Sequence, residues 1–139
     1  MYQHILAATD FSDLGDRALT RAAELAVELG AKLTLVHVMV SEDSANPMYK
    51  EHEVRAQVER LAEARAKLTE RVSAVQQVEL HFEVRVGNPA TEILAAVDHH
   101  GADLLVISSN GEKGFTRWLL GTTTDRVVRG AIRDVLVVT

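Results

Sequence analysis

Apolar and polar positions along the chain alternate between two rhythms. The run His4-Ile5-Leu6-Ala7-Ala8-Thr9 is short and apolar, as a buried strand is, and Asp10-Phe11-Ser12 after it reads as a loop. Leu14, Ala18, Leu19, Ala22, Leu25, Ala26 and Leu29 then recur at the spacing of one helix face. Ser12 or Asp13 suits the start of that helix, and Gly30 can supply the left-handed residue that ends it. Leu33 to Val40 is β-branched and strand-like again, and the polar segment Ser41 to Pro47 predicts a loop.

Beyond that loop, Val54, Val58, Leu61, Leu68, Val72 and Val75 form one long stripe on an otherwise polar helix. Arg65 interrupts it, which favours packing on a sheet over a coiled coil; the arginine can lay its stem along the apolar surface with its head in water. Val78 to Val86 alternates strictly, predicting an edge strand with one wet face. Gly87-Asn88-Pro89 supplies a turn, a cap and a first-turn proline for a helix carrying Ile93, Leu94, Ala96 and Val97. Ala102 to Ser108 has a continuous apolar centre, as a strand buried on both faces does. A loop with Gly111 and Gly114 follows, then a helix near Thr122 to Arg129 and a last strand from Val135 to Thr139.

Strands therefore alternate with helix-length connections, and parallel strands need such crossovers. The pattern predicts one α/β domain over residues 1–139, an open, doubly wound, Rossmann-like sheet of five parallel strands with helices on both faces. Composition agrees: 139 residues, 47% hydrophobic and 25% charged, suit an ordinary globular core. The formal charge of −5, with Lys and Arg spread out, disfavours a nucleic-acid or anionic-membrane surface. Cysteine is absent, which excludes disulfides, a thiolate nucleophile and cysteine-based zinc sites. Met1-Tyr2-Gln3-His4 does not follow the order of a secretory signal, and no apolar run is long enough to span a bilayer, so a cytoplasmic protein is expected.

Ligands of open α/β sheets bind beyond the carboxyl ends of the strands, where strand order reverses. Two strand-end loops are unusual, after the first strand and after the fourth. The latter runs Ser108-Ser109-Asn110-Gly111-Glu112-Lys113-Gly114 and on to Gly121-Thr122-Thr123-Thr124. Small residues let backbone N–H groups approach an anion, and a helix starting at Gly121-Thr122 aims its unpaired N–H groups and positive dipole end there. Thr122 and Thr123 add hydroxyls, while Lys113 and Arg117 offset charge. The same residues also suit a plain helix cap after a flexible loop.

This loop resembles the nucleotide-binding signature of the universal stress protein family: Gly, two residues, Gly, nine residues, Gly, then Ser or Thr. Gly111, Gly121 and Thr122 match it, and Ser108 stands at the first glycine position. The resemblance extends over nearly the whole chain, through His4 to Ser12, Leu35-Val36-His37-Val38, Gly87 to Ile93, Ala102 to Ile107 and Val135 to Val138. It departs again at Asp134, where the family often has proline. The resemblance implies the sheet order 3-2-1-4-5 and an ATP site, with AMP or ADP as other adenine nucleotides and Mg accompanying the nucleotide. It implies that Ala8, Thr9 and Asp10 line the ribose and adenine side and that Val38 meets the adenine edge through its backbone. Ser108, Ser109, Asn110, Gly111, Gly114, Gly121, Thr122 and Thr123 would hold the phosphates. Asp10 suits two roles, partner of a metal or ribose, or ordering its own turn. The resemblance also implies a homodimer through Val135, Leu136, Val137 and Val138, which would cover an otherwise exposed apolar edge.

Other signals carry less. His99 and His100 are adjacent on a helix and diverge, so they read as a polar helix end, and no metal site is expected from them. His37, inside an apolar strand, reads as a hydrogen-bonded core or rim residue. No nucleophile elbow and no Gly-x4-Gly-Lys-Ser/Thr loop occurs, so efficient turnover is not expected. A receiver domain would need acidic residues and a lysine at strand ends that this chain lacks. Phe115, Trp118, Leu119 and Leu120 suit either packing under the loop or a lid. The function expected is a binding one, a sensor or regulator of stress response that takes adenine nucleotide. A nucleotide-independent scaffold and a slow ATPase are the alternatives.

Overall fold

The computed structural model describes residues 1–40, 50–110 and 120–139. The elements run β1 (His4–Ala8), α1 (Asp13–Leu29), β2 (Lys32–Met39), α2 (Lys50–Ala74), β3 (Leu80–Val86), α3 (Pro89–His100), β4 (Leu104–Ser108), α4 (Thr122–Gly130) and β5 (Asp134–Val138). The five strands form one sheet in the order β3-β2-β1-β4-β5, and every neighbouring pair is parallel. Each crossover carries a helix, and the helices divide between the faces. Ala18, Leu19, Ala22 and Ala26 of α1 and Leu68 of α2 pack against Ile5, Ala7, Leu33 and Leu35. Ala90, Ile93, Ala96 and Val97 of α3 and Val127 of α4 pack against Leu6, Ala8, Val36 and Leu105. Alternate strand residues thus feed two separate apolar layers, and central β4 is buried along its whole length.

Helix ends follow their local chemistry. Ser12, rather than Asp13, caps α1 and accepts a hydrogen bond from the Gly15 amide, while Asp13 and Asp16 lie in the first turn, where the helix dipole favours acids. Gly30 ends α1 with φ 64°, in the left-handed region that costs a side-chain-bearing residue energy. Asn88 caps α3 by accepting from the Thr91 amide, with Pro89 in the first turn.

Two sequence expectations are modified. The stripe on α2 meets the sheet only over its second half: Ala64 and Leu68 are buried, Val72 packs beside them, and Val54 and Val58 are exposed. Arg65 places its guanidinium itself over the Phe82 ring, 5.8 Å from the centroid, so the interruption is accommodated by a cation–π contact. On β3, Leu80, Phe82 and Val84 face the first apolar layer as the alternation requires. The other face is not simply wet. Glu83 lies 2.9 Å from Arg85 and 3.2 Å from His100, and Arg85 lies 3.5 Å from Glu92, so α3 covers that face with a charged layer. Burial alone would raise the Glu83 pKa, but Arg85 and His100 hold it below the ordinary carboxylate value.

His4 shows how β1 is fixed beside its neighbours. Its Nδ1 donates to the His100 carbonyl at 3.1 Å, so Nε2 is the acceptor for the Thr34 hydroxyl at 2.7 Å. Burial lowers the pKa of both His4 and His37 below the ordinary 6.5. Below pH 6.5 the unfolded chain therefore binds protons that the folded one refuses. Stability should be full above that pH and fall through the window beneath it, before the carboxylates begin to titrate. A urea midpoint lower at about pH 5.5 than at about pH 7.5 is expected, and replacing both histidines with glutamine should flatten the difference.

Candidate functional site

The chain leaves β1 toward β2 and β3 in one direction, and β4 toward β5 in the other, so strand order reverses between β1 and β4. A cleft of about 690 Å³ opens at the carboxyl ends of these strands, a size ordinary for small-molecule sites. Its floor is the ends of β1, β2 and β4. One wall is the start of α4 with Pro89 and Ile93 of α3; the other is Arg60, Glu63, Ala64 and Lys67 of α2.

The turn after β1 is held by its own polar groups. The Thr9 amide donates to the Val36 carbonyl, continuing the sheet ladder by one residue. Thr9 Oγ1 accepts from the Phe11 amide at 3.0 Å, and Asp10 Oδ1 accepts from the Ser12 amide at 3.0 Å and from the Ser12 hydroxyl. Asp10 therefore orders its own turn and also borders the cleft. Phe11 takes φ 66°, a conformation uncommon outside glycine, and its ring lies 4.2 Å from that of His37. His37 Nδ1 donates to the Thr9 carbonyl at 2.8 Å, which fixes the proton on that nitrogen, since a carbonyl only accepts. Lys67 and Arg71 reach over Phe11 from α2, at 5.1 and 4.9 Å from the ring centroid, and Arg71 is held by Asp16 at 2.6 Å.

The opposite end is built by the start of α4. Gly121 is the N-cap residue, with φ −62° and ψ 157°, and makes no side-chain cap bond. Its amide donates to the Ser109 carbonyl at 2.8 Å. The first-turn amides that follow have no partner within the helix and lie where the dipole is positive. Thr124 donates its hydroxyl to the Ser108 carbonyl at 2.6 Å, pinning the helix to β4. Ser108 donates to the Asn110 carbonyl at 2.9 Å. Asn110 is buried, and its Oδ1 has no hydrogen-bond partner among the described residues. The described non-glycine residues with positive φ are Phe11 and Gln77, so Ser108 occupies ordinary backbone and glycine's freedom is not needed there.

Of the residues singled out in the sequence, Ala8, Thr9, Asp10, Val38, Ser108, Asn110, Gly121, Thr122 and Thr123 line this one cleft. Ser109 is set back from it: its amide donates to the Val138 carbonyl and its own carbonyl accepts from Gly121, so its backbone ties β4 to its neighbours. Gly111 and Gly114, with Glu112, Lys113, Phe115, Arg117, Trp118 and Leu119, lie outside the described residues. The α2 wall was not anticipated, although Arg60, Glu63, Ala64 and Lys67 recur at helical spacing and so share one face. Among the described residues no cluster of three or more His, Cys, Asp or Glu could hold a metal ion, and no helix is long and apolar enough to cross a membrane.

The model of the universal stress protein family matches residues 1–139. The chain belongs to that family. A universal stress protein of Methanocaldococcus jannaschii is 31% identical over 99% of this chain and 82% of its own length. Universal stress protein UspA from Lactobacillus plantarum superposes with a TM-score of 0.90 at 27% identity, covering 99% of this chain and 98% of that one. A universal stress protein solved in complex with cAMP matches with a TM-score of 0.72 at 27% identity, covering 99% and 97%. The sheet order observed here is thus the universal stress protein order.

Proposed function

We propose that this universal stress protein binds ATP, or another adenine nucleotide, in the cleft and acts as a cytoplasmic, homodimeric regulator or sensor in stress response. The observation that carries the reading is the start of α4, where the cap residue Gly121 makes no side-chain cap bond, opening into the same cleft as the ends of β1 and β2. The donor set fits a phosphate chain: first-turn amides, the hydroxyls of Thr122 and Thr123, and the small residue Gly121. Ser108 and Asn110 lie at the same end, and the loop through Gly111 and Gly114 would complete it. The base and ribose would occupy the other end, against Ala8, Thr9, Asp10 and the backbone of Val38. Asp10 is the candidate to meet a ribose hydroxyl or nucleotide-bound Mg. The cAMP complex of a related universal stress protein supports adenine nucleotide as the ligand class.

Titration of nucleotide-stripped protein with MgATP tests this directly. Saturable binding of one ATP per chain is expected, with loss of binding in Gly121→Val combined with Thr122→Val. Normal binding by that double variant would contradict the mapped site. Phosphate release abolished by the same substitutions would move the reading to a slow ATPase.

The homodimer would form through β5. This strand lies at the edge of the sheet among the described residues and carries Val135, Leu136, Val137 and Val138. Next to it, Ile132 is 77% exposed, and an apolar groove of about 150 Å³ runs between Leu94, Val97 and Val135. Pairing of two such edges would cover both features. Sedimentation at micromolar concentration should give a dimer, weakened by Ile132→Asp; a monodisperse monomer would remove the claim.

A further inference from the structure

Gly15 sits in the first turn of α1, is buried, and adopts ordinary helical backbone. Nothing in its conformation asks for glycine, and alanine is the better residue inside a helix. The reason for glycine is proximity. A Cβ on residue 15 would lie 2.9 Å from Asp10 Oδ1, 3.0 Å from Thr9 Oγ1 and 3.3 Å from Ser12 Oγ. The first of these is closer than a methyl carbon and an oxygen come, so the Asp10 carboxylate would have to move, and the other two contacts are already tight.

The three crowded oxygens are the ones that hold the turn together. Thr9 Oγ1 accepts from the Phe11 amide, Asp10 Oδ1 from the Ser12 amide, and Ser12 Oγ from the amide of Gly15 itself. Thr9 and Asp10 also line the cleft. We infer that Gly15 is a positioning residue of the ligand site: its bare Cα is the seat on which the Thr9 and Asp10 side chains rest, and it fixes where both face the cleft. The inference rests on the nucleotide reading of that cleft for its ligand and on the turn geometry alone for the seat. Gly15 itself touches no ligand.

Two measurements on Gly15→Ala separate these parts. Without ligand, amide hydrogen exchange at Phe11 and Ser12 should accelerate, because both amides lose their seated acceptors, while exchange in β4 stays unchanged. With MgATP, affinity should fall about tenfold in the wild-type background, and most of that loss should vanish in an Asp10→Ala background, since residues that act through one another are not additive. Should the single variant not fold, recovery on adding Asp10→Ala supports the same assignment, and failure to recover overturns it. Unchanged exchange at Phe11 and Ser12 overturns the seat, and equal losses in the two backgrounds overturn the link to Asp10. If the wild type binds no ATP, the nucleotide reading falls, and the exchange measurement still decides the role of Gly15 in the turn.

Discussion

Replacing Thr122 with aspartate should weaken ATP binding by about a hundredfold while leaving the ligand-free protein at least as stable as the parent. Thr122 is exposed and begins α4, and its cap residue Gly121 offers no side-chain acceptor. A carboxylate there meets the positive end of the helix, worth about 0.3–1 kcal/mol in the absence of ligand. A bound phosphate would meet the same carboxylate at close range, and like-charge repulsion of about 2–3 kcal/mol corresponds to roughly a hundredfold in affinity. The opposite signs make the variant informative. Thermal unfolding and MgATP titration of the same sample check both halves. A fall in both would mean damage to the fold, and unchanged affinity would place the phosphates elsewhere.

The second large effect concerns stability. Leu68→Ala should cost about 2–5 kcal/mol, because it removes a fully buried side chain and leaves a cavity beneath α2. Leu68 and Ala64 are the buried residues of this 25-residue helix, so its seat on the sheet depends on them. Val58 lies on the same predicted stripe but is 60% exposed, and Val58→Ala should change stability by no more than about 0.5 kcal/mol. Urea unfolding of the two variants side by side measures the contrast. Equal effects would mean that the first half of α2 is covered in solution.

That contrast also marks where the sequence stopped being readable. A 25-residue helix is about 37 Å long, whereas a seven-residue strand such as β3 spans about 23 Å, so α2 must overhang the sheet. In a parallel β-α-β unit the helix N-terminus lies at the strand carboxyl ends, and the overhang therefore projects past the cleft. The stripe predicted contact along the whole helix because periodicity records which face is apolar, not how far the sheet extends. The same overhang brings Arg60, Glu63 and Lys67 to the cleft. Element order and the start of α4 were legible because local signals fix them: alternating rhythms, Ser12 and Asn88 as caps, Gly30 as terminator, and Gly121-Thr122 at the last crossover. The charged layer of Glu83, Arg85, Glu92 and His100 was not, because β3 and α3 each read as half polar and only packing shows that the polar halves meet. Gly15 left no sequence signal either: its importance lies in a contact between a helix turn and the loop before it, which has no period.

One cleft should receive phosphate at the start of α4 and base at the ends of β1 and β2. Backbone amide resonances followed during titration with MgATP, and separately with adenosine, test it most directly. Both ligands are expected to shift Ala8, Thr9 and Val38, whereas Asn110, Gly121, Thr122 and Thr123 should shift strongly with MgATP alone. Strong MgATP-dependent shifts elsewhere, with those four amides unmoved, would contradict it.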